Sequence, residues 1–475
     1  MNYSEFLGMG AELSIMAVVI LLFLYDTFLP SKFGKYLPLV AILLLVAQTL
    51  FVCFDKSGQV SLFGGMYLSL GMTKVAKIIL NIGTILVFIQ SVSWIKDDNV
   101  SIRRGEYYIL TLITLLGMYV MMSSQNFLLF FLGLEMASLP MTALVAIEKY
   151  KQNSYEAAAK YLFFSVFSSA LMLLGISYIY GVGGTLYYDA LAITISVSPL
   201  LIVGLVLFVA GMGFKLSLVP FHLWTADVYQ GAPTTVTAYL SVISKGAAAF
   251  AFMMALFTVF ASVGWIWSWT LYGIIIITIT VGNLFAIRQQ NIKRFLAFSS
   301  ISQAGYIMLG IMAGTAFGAT SLLYYILVYI FSNIAAFTVI GVIEKQSGKL
   351  CINDYNGLYK TNPKLSLIMM FAMFSLAGIP PFAGFFSKFF IFYAAVEQGY
   401  YVLVFIALIN TIISLYYYLL VVKAMFLNEN EAPIAPIRSD NYTRIALVLA
   451  VSGVIFIGLA SVVYDKIYDI VSLVF

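Results

Sequence analysis

The sequence predicts an all-α polytopic membrane protein, and two observations lead to that prediction. Of the 475 residues, 62% are hydrophobic and only 9% are charged, whereas charged residues make up about 25% of a typical soluble domain. Fourteen apolar stretches are each long enough to cross a hydrocarbon core about 30 Å thick. Such a chain cannot cover itself with polar surface, so lipid must be its main solvent.

The fourteen helices follow one another without a soluble domain between them. They are predicted at residues 12–30, 36–54, 75–95, 105–122, 125–147, 157–180, 198–219, 233–260, 267–287, 295–313, 318–343, 362–396, 400–427 and 443–464. We expect four parts: helices 1–3 in residues 1–104, two five-helix units in residues 105–262 and 263–427, and helix 14 in residues 428–475.

Lysine and arginine in the loops predict the orientation, because basic residues accumulate on the cytoplasmic side of membrane proteins. The loops after helices 1, 3, 5, 9, 11 and 13, with the adjoining helix ends, contain 18 of the 25 basic residues. Lys293 and Arg294 belong to this group and are interpreted as ordinary anchors. The opposite side has four basic residues, which are Lys56, Lys74, Lys77 and Lys466. Both termini are therefore expected away from the cytoplasm, and only Lys215, Lys245 and Lys388 are left unexplained by the topology.

Those three lysines and one glutamate are predicted inside the membrane. Glu135 is about ten residues into helix 5, roughly 15 Å deep at about 1.5 Å per residue. Each charge at the centre of a span costs about 2.5–3.5 kcal/mol on insertion scales. A structural ion pair would offset part of that cost, but one carboxylate cannot pair with three ammonium groups on separate helices. Burial and a nearby carboxylate change the proton affinity of a lysine in opposite directions, so the pattern favours a proton relay.

Prolines predict breaks in two helices. Pro220 interrupts helix 7, and Pro380 and Pro381 interrupt helix 12. Proline removes a backbone donor, and each break has a lysine nearby, Lys215 or Lys388. This combination favours discontinuous helices that line a cavity over simple kinks. The breaks are five helices apart, so helices 4–8 and 9–13 are predicted to be inverted repeats, since an odd-numbered repeat reverses its direction in the membrane.

Two polar residues follow the first break. His222, the only histidine, is either a proton shuttle, since imidazole titrates near neutral pH, or a cap for the carbonyls that the break frees. Asp227 is expected to cap the short helix or to meet interfacial water.

The sequence gives no indication of a bound cofactor in this chain. Cys53 and Cys351 are far apart and offer neither a metal-ligand spacing nor a disulfide framework. A glycine-rich phosphate loop is also absent from the sequence.

Five stretches between helices 4 and 13 point to a known family. They are "FFLGLEMASLPMTALVA", "SYEAAAKYLFFSVFSSALMLLG", "GFKLSLVPFHLWTADVYQGAPTTVTAYLSVISKGAA", "NIKRFLAFSSISQAGYIMLG" and "LAGIPPFAGFFSKFFIF". Together they resemble the antiporter-like membrane subunits of respiratory complex I. The third stretch is very specific, and the others are informative in combination.

The resemblance assigns roles to the intramembrane charges. It implies that Glu135 and Lys215 form a modulating pair, that Lys245 is the central proton carrier and that Lys388 faces the exit side. A lysine at the last position is typical of one of these subunits, whereas a related subunit has a glutamate there. The family commonly has a histidine where this chain has Gln303. Glutamine forms hydrogen bonds and holds water but does not titrate.

The resemblance also implies a function, partners and a location. The chain is expected to translocate protons through the Glu/Lys relay, coupled to quinone reduction in other subunits of an NADH:quinone oxidoreductase. Its partners would be neighbouring antiporter-like and small membrane subunits, with quinone, FMN and iron–sulfur clusters bound in partner subunits and no nucleic acid. The location would be the inner membrane of a bacterial cell.

Two other functions are compatible with the sequence. A membrane subunit of a multisubunit Na⁺/H⁺ antiporter shares the fold and the Glu–Lys pattern. A stand-alone secondary transporter is less favoured, because apart from the line of charges the sequence has no obvious polar cluster the size of a substrate.

Overall fold

The computed structural model describes residues 4–55 and 57–474, so Lys56, counted above on the less basic side, lies outside the described residues. Long helices dominate the fold. They are α1 (Gly10–Phe28), α2 (Leu37–Phe54), α3 (Gly71–Ile95), α4 (Arg104–Met122), α5 (Phe127–Val145), α6 (Gln152–Gly183), α7a (Pro199–Leu216), α7b (Leu223–Gly231), α8 (Thr234–Thr258), α9 (Gly264–Ile287), α10 (Ile292–Ala313), α11 (Ala316–Ser347), α12a (Pro363–Ala377), α12b (Ala383–Glu397), α13 (Tyr401–Phe426) and α14 (Asn441–Leu459).

Short elements close the two ends of the bundle. Strands β1 (Val60–Leu62) and β2 (Tyr67–Ser69) form an antiparallel hairpin. Short α-helices cover Ser4–Leu7, Asp98–Ser101, Tyr188–Thr194, Leu358–Thr361 and Ser461–Val471, and 3₁₀ turns cover Ser31–Tyr36, Ala261–Val263 and Ile352–Tyr355. We call the end with the hairpin and residues 123–126 the hairpin face. The opposite end, with residues 96–103, 146–151, 288–291 and 348–362, is called the basic face.

The prediction of a membrane protein with about fourteen spans is confirmed. In the described part of the chain, thirteen helices are long and apolar enough to cross a membrane, and α12a with α12b supplies a further, divided one. Several helices are longer than predicted: α3 begins at Gly71 instead of residue 75, and α6 runs from Gln152 to Gly183 instead of 157–180. Polar residues near a helix end lower the local hydropathy without ending the helix, so hydropathy alone shortens the prediction.

The core of the bundle is formed by α8, α10 and α11. In the most apolar 18-residue stretch of each helix, the buried share is 94% for α8, 100% for α10 and 83% for α11, compared with 22% for α1 and 39% for α6. Helices α1 and α6 therefore leave most of their surface on the outside of the bundle. A polar side chain on α8 or α10 instead meets other helices.

Helices 7 and 12 are both discontinuous, as predicted. The peptide bonds Val219–Pro220 and Pro380–Pro381 are cis. The first half of each helix ends in a left-handed residue, Ser217 with φ 62° and Gly378 with φ 87°. The inverted relation of helices 4–8 to helices 9–13 stays a prediction, as does the division of the chain after residues 104, 262 and 427.

Candidate functional site

Lys215 lies in the last turn of α7a, with only 3% of its surface exposed. Its ammonium group donates to the hydroxyl of Ser138 at 2.8 Å and to the carbonyl of Ala137 at 3.3 Å. The Ser138 hydroxyl donates in turn to the carbonyl of Leu134 at 2.6 Å. Lys215 is therefore inside the protein and reaches α5, the helix that carries Glu135.

Glu135 is partly buried on α5, one turn before Ser138. Among the described residues its buried Oε1 atom has no hydrogen-bond partner, and no direct ion pair joins it to Lys215, whose ammonium bonds go to Ala137 and Ser138. The two charges are nevertheless close enough to interact electrostatically. The structure thus places them as neighbours and not as a contact ion pair.

Lys245 follows directly after a π-helical turn, Leu240–Ser244, in α8 and is 1% exposed. Its ammonium donates to the hydroxyl of Ser300 on α10 at 2.7 Å and lies 5.5 Å from the centre of the Tyr229 ring. The Tyr229 and Ser300 hydroxyls are 3.2 Å apart. Turns of the π type occur often at functional sites. In the described chain no carboxylate pairs with Lys245, so its partners are one hydroxyl and one aromatic face.

Lys388, on α12b, is 5% exposed and bonds to the break in its own helix. It donates to the carbonyls of Leu376 at 2.9 Å and Ala377 at 3.1 Å. The last carbonyls of a helix have no partner within that helix. The break thus supplies the acceptors for the lysine, which is a physical reason for the two to occur together in the sequence.

Gln303 lies on α10 between the last two lysines and is 1% exposed. Its Nε2 donates to the carbonyl of Leu376 at 3.2 Å, the carbonyl that also accepts from Lys388, and to the Tyr418 hydroxyl at 3.1 Å. A cavity of about 10 Å³ lies beside Gln303 and Lys388, large enough for about one water molecule. Since Ser300 is one turn before Gln303, α10 connects the surroundings of Lys245 with those of Lys388.

Four buried hydroxyls on helices 6, 7 and 8 have no hydrogen-bond partner among the described residues. They belong to Tyr161, Ser217, Thr225 and Ser244, which are at most 1% exposed. Buried polar groups are nearly always satisfied, by ordered water where the protein supplies no partner. These hydroxyls therefore favour internal water in this part of the bundle.

His222 precedes α7b and is only partly buried. Its side chain does not cap α7b, and its Nδ1 atom has no partner among the described residues. The ring lies beside the carbonyl of Pro220. Its role as a proton shuttle or as a cap for the carbonyls at the break stays a prediction.

The loop pattern places Lys77 and Lys293 among the basic residues of loops and helix ends, where they would reach water. Both are buried, so this placement is wrong. Lys77 is 0% exposed and pairs with Glu12 at 2.6 Å. Lys293 is 2% exposed and pairs with Glu344 at 3.3 Å, while also donating to the carbonyl of Ala232 at 3.0 Å. Lys77 was assigned to an edge because helix 3 was predicted to begin at residue 75. No local pattern indicates its partner, 65 residues away.

Asp227 joins three helices at the basic face. It accepts from Lys160 of α6 at 2.7 Å and from Arg294 of α10 at 2.6 Å. The carboxylate bonds to two cations and not to the end of α7b, so the expectation of a helix cap is wrong, and Arg294 is more than an anchor. The alternative, contact with interfacial water, stays a prediction. The two ion pairs fasten the short helix α7b to its neighbours.

Cys53 and Cys351 are exposed free thiols. Residues 4–55 and 57–474 contain no group of three or more His, Cys, Asp or Glu side chains that could hold a metal ion. The location of cofactors in partner subunits stays a prediction.

Comparison with known proteins finds a family match over the segment that contains the site. Residues 124–414, which include Glu135, Lys215, Lys245 and Lys388, match the family described as "NADH:quinone oxidoreductase/Mrp antiporter, TM". A protein of Phocaeicola vulgatus named NADH-quinone oxidoreductase subunit N is 57% identical over 470 residues, 99% of each chain. A protein of the same name from Azobacteroides pseudotrichonymphae is 53% identical over 475 residues, 99% of this chain and 98% of the relative.

Two of the solved structures with the same fold belong to different complexes. A chain in the structure of respiratory complex I from Thermus thermophilus with bound aureothin has a TM-score of 0.80 and 30% identity, covering 94% of this chain and 97% of its own. A chain in the Mrp complex from Dietzia sp. has a TM-score of 0.84 and 22% identity, covering 99% of this chain and 97% of its own. The second likeness shows a common fold alone.

Proposed function

Because the chain belongs to the family of membrane proteins shared by NADH:quinone oxidoreductase and Mrp antiporters, we propose that it is the proton-translocating subunit N of an NADH-quinone oxidoreductase. The two relatives named as that subunit are 57% and 53% identical and match nearly its whole length. Quinone reduction takes place in other subunits, and this chain moves protons across the membrane.

One observation carries the proton-translocating role: Lys245 is fully buried in the core and bonded to neutral groups only. Lys215 and Lys388 share this property, with hydroxyl and carbonyl acceptors. A carboxylate beside a lysine favours its charged form, so a buried lysine whose partners are all neutral gives up its proton more readily than one in an ion pair. For a purely structural role, an apolar residue of similar size would be at least as stabilising.

The relay begins at α5. A shift of Glu135 relative to Lys215, driven by the reaction elsewhere in the complex, changes the proton affinity of Lys215. The proton then passes to Lys245 through internal water and onward past Ser300 and Gln303 to Lys388. Gln303 orients water in the last step and does not itself titrate. Each charge moved against 100 mV requires about 2.3 kcal/mol, so direction comes from coupling to neighbouring subunits.

The proposal includes an orientation and partners. The basic face lies in the cytoplasm and the hairpin face outside it, in the inner membrane of a bacterial cell, since lysine and arginine mark the cytoplasmic side. Other antiporter-like and small membrane subunits flank the chain, and quinone, FMN and iron–sulfur clusters belong to partner subunits. The Mrp antiporter alternative is less supported, because the likeness to the Dietzia chain is at 22% identity.

Substitution of the central lysine tests the proposal. In the assembled complex in sealed vesicles, Lys245→Ala should abolish proton translocation, because the neutral alanine leaves no carrier on α8. Glu156→Gln, which changes an exposed glutamate in a surface ion pair, is the control and should translocate protons normally. Normal translocation by assembled Lys245→Ala would refute the central role of this lysine.

A further inference from the structure

A buried ion pair within the membrane-spanning helices lies outside the line of Lys215, Lys245 and Lys388. Lys77 of α3 is fully buried, and its ammonium is 2.6 Å from the carboxylate of Glu12 on α1, itself 4% exposed. The Tyr67 hydroxyl donates to the same carboxylate at 2.8 Å, and the Ser123 hydroxyl lies 3.4 Å from it. The relay described above uses none of these groups.

The depth and burial of this pair favour a function. Lys77 is six residues after Gly71, about 9 Å along the helix at about 1.5 Å per residue. A buried ion pair often stabilises a protein no better than apolar residues of similar size. An ionisable side chain within a membrane span is therefore a candidate functional group.

A line of buried polar side chains leads away from the pair along α3. Its members, each 0% exposed, are Lys77, Asn81, Thr84 and Ser91, and their spacing of four, three and seven residues places them on one helix face. Tyr119 of α4 donates to Asn81 at 2.6 Å, and its ring centre lies 5.3 Å from the Lys77 ammonium. Asn81 in turn donates to Gln48 of α2 at 2.7 Å. If the ion pair served only to hold α1 against α3, these further buried polar side chains would not be needed.

The polar line continues between α3, α4 and α8. The Tyr239 hydroxyl is 2.9 Å from the Thr114 hydroxyl and lies beside Thr84. Further along, the Tyr107 hydroxyl lies between Ser91 and Thr235. Within the described chain, neither Tyr107 nor Thr235 makes a hydrogen bond of normal length and angle through its side chain.

The line ends at a cavity in the basic face. The cavity has a volume of about 320 Å³ and is lined by Thr235 and Gln90, among other residues, which is room for about ten water molecules. Both side-chain polar atoms of Gln90 are buried without a partner in the described residues. Polar side chains therefore lead from a cavity with room for several water molecules at the basic face to the ion pair near the hairpin face.

We propose that Glu12 and Lys77 form a second proton-binding pair, joined to this cavity by the polar side chains between α3, α4 and α8. The proposal rests on the proton-translocating role of the chain and adds a route beside the three-lysine line. The side chains that make up this polar line are Asn81, Thr84, Ser91, Tyr107, Tyr119, Tyr239 and Thr235.

The proton balance of this route is simple. The Lys77 ammonium gives one proton to the Glu12 carboxylate, so an N–H bond breaks, an O–H bond forms, and an amine and a carboxylic acid result. The amine takes a proton that arrives from cavity water along the polar line. The acid releases its proton to water at the hairpin face, past Tyr67 and Ser123. One proton enters and one leaves, and the ion pair is restored.

The test compares variants in the assembled complex, with protons moved per quinone reduced as the readout and the amount of assembled complex as the structural measure. Glu12→Gln and the apolar double variant Glu12→Leu/Lys77→Met should both lower the ratio. The double variant Asp55→Asn/Lys74→Met removes another ion pair at the hairpin face, 2.9 Å long and partly exposed, and should leave the ratio unchanged.

A milder variant covers the case in which the pair variants do not assemble. Tyr119→Phe removes the hydroxyl on Asn81 and keeps the ion pair and the ring, and it should also lower the ratio. Its control is Tyr464→Phe, which removes a buried hydroxyl paired with Ser321 at 3.0 Å, away from the polar line, and should not.

The outcomes separate the possible explanations. A wild-type ratio in Tyr119→Phe and in every pair variant that assembles would mean that Glu12 and Lys77 only fasten two helices, and the inference would be overturned. Lys245→Ala serves as the reference. If it stops translocation while the variants above do not, this inference alone fails, whereas normal translocation in Lys245→Ala refutes the proposed relay.

Discussion

Ser300→Ala should slow proton translocation, because Ser300 is the one hydrogen-bond partner of the Lys245 ammonium in the described chain. The bond is 2.7 Å long, and Ser300 is 1% exposed. A hydrogen bond to a charged group contributes about 1.5–3 kcal/mol, and about 1.4 kcal/mol corresponds to a factor of ten. The protonated form of Lys245 should therefore become roughly 10- to 150-fold less populated relative to the neutral amine, and the rate should fall accordingly.

The assay measures the initial rate of proton uptake in vesicles that contain the assembled complex, together with the amount of complex. Ser154→Ala is the matched control, since it removes an equally buried hydroxyl that bonds to the Val145 carbonyl at 2.6 Å. Wild-type translocation by Ser300→Ala would show that Lys245 is loaded without this hydroxyl, and the assignment of Ser300 to the path would be refuted.

Three further predictions concern the last step and the basic face. Gln303→Leu should slow proton release in vesicle assays, since it removes the amide that donates to the Tyr418 hydroxyl and to the Leu376 carbonyl at the break. Gln303→His should show a normal rate in the same assay. Gly378→Ala should lower the stability by about 1–2 kcal/mol, because alanine is strained in the left-handed backbone conformation of this position. It should also displace Lys388, whose Cδ would be 3.0 Å from the new Cβ. Thermal unfolding would measure the first effect and proton translocation the second. Asp227→Asn should change thermal stability by only about 0–1 kcal/mol for each ion pair, because both pairs are partly exposed, and a large loss of stability would contradict this.

Local signals account for what could be predicted from the sequence. Apolar length predicts the spans, and proline predicts the breaks at Pro220 and Pro381, because hydropathy and backbone chemistry act over a few residues. The isolated positions of Lys215, Lys245 and Lys388 follow from the same reasoning. The contacts of these lysines do not, since Ser138, Ser300 and the carbonyl of Leu376 look like ordinary residues until the helices pack.

Lys77 and Lys293 show most clearly that local sequence signals do not predict tertiary contacts. Lys77 and Lys293 are near predicted helix ends, where a basic residue ordinarily reaches water, yet both are buried and paired with distant carboxylates. Only tertiary packing brings Glu12 to Lys77 and Glu344 to Lys293. The full burial of α10 would have been the best warning for Lys293. Sequence periodicity does not reveal that burial, because the helix has no distinct polar face that would indicate which side is exposed.

The contacts of Lys215 suggest an element through which the proposed relay is coupled to the rest of the complex. Both of its hydrogen-bond acceptors, the Ala137 carbonyl and the Ser138 hydroxyl, are on α5, and so is Glu135. A displacement of α5 relative to α7a would therefore change two things at once: the hydrogen bonds of the ammonium group and its distance from the carboxylate. Because no contact ion pair locks Glu135 to Lys215, a small movement is enough to alter their interaction, which varies inversely with distance. We infer that α5 is the element through which a neighbouring subunit acts on the first lysine.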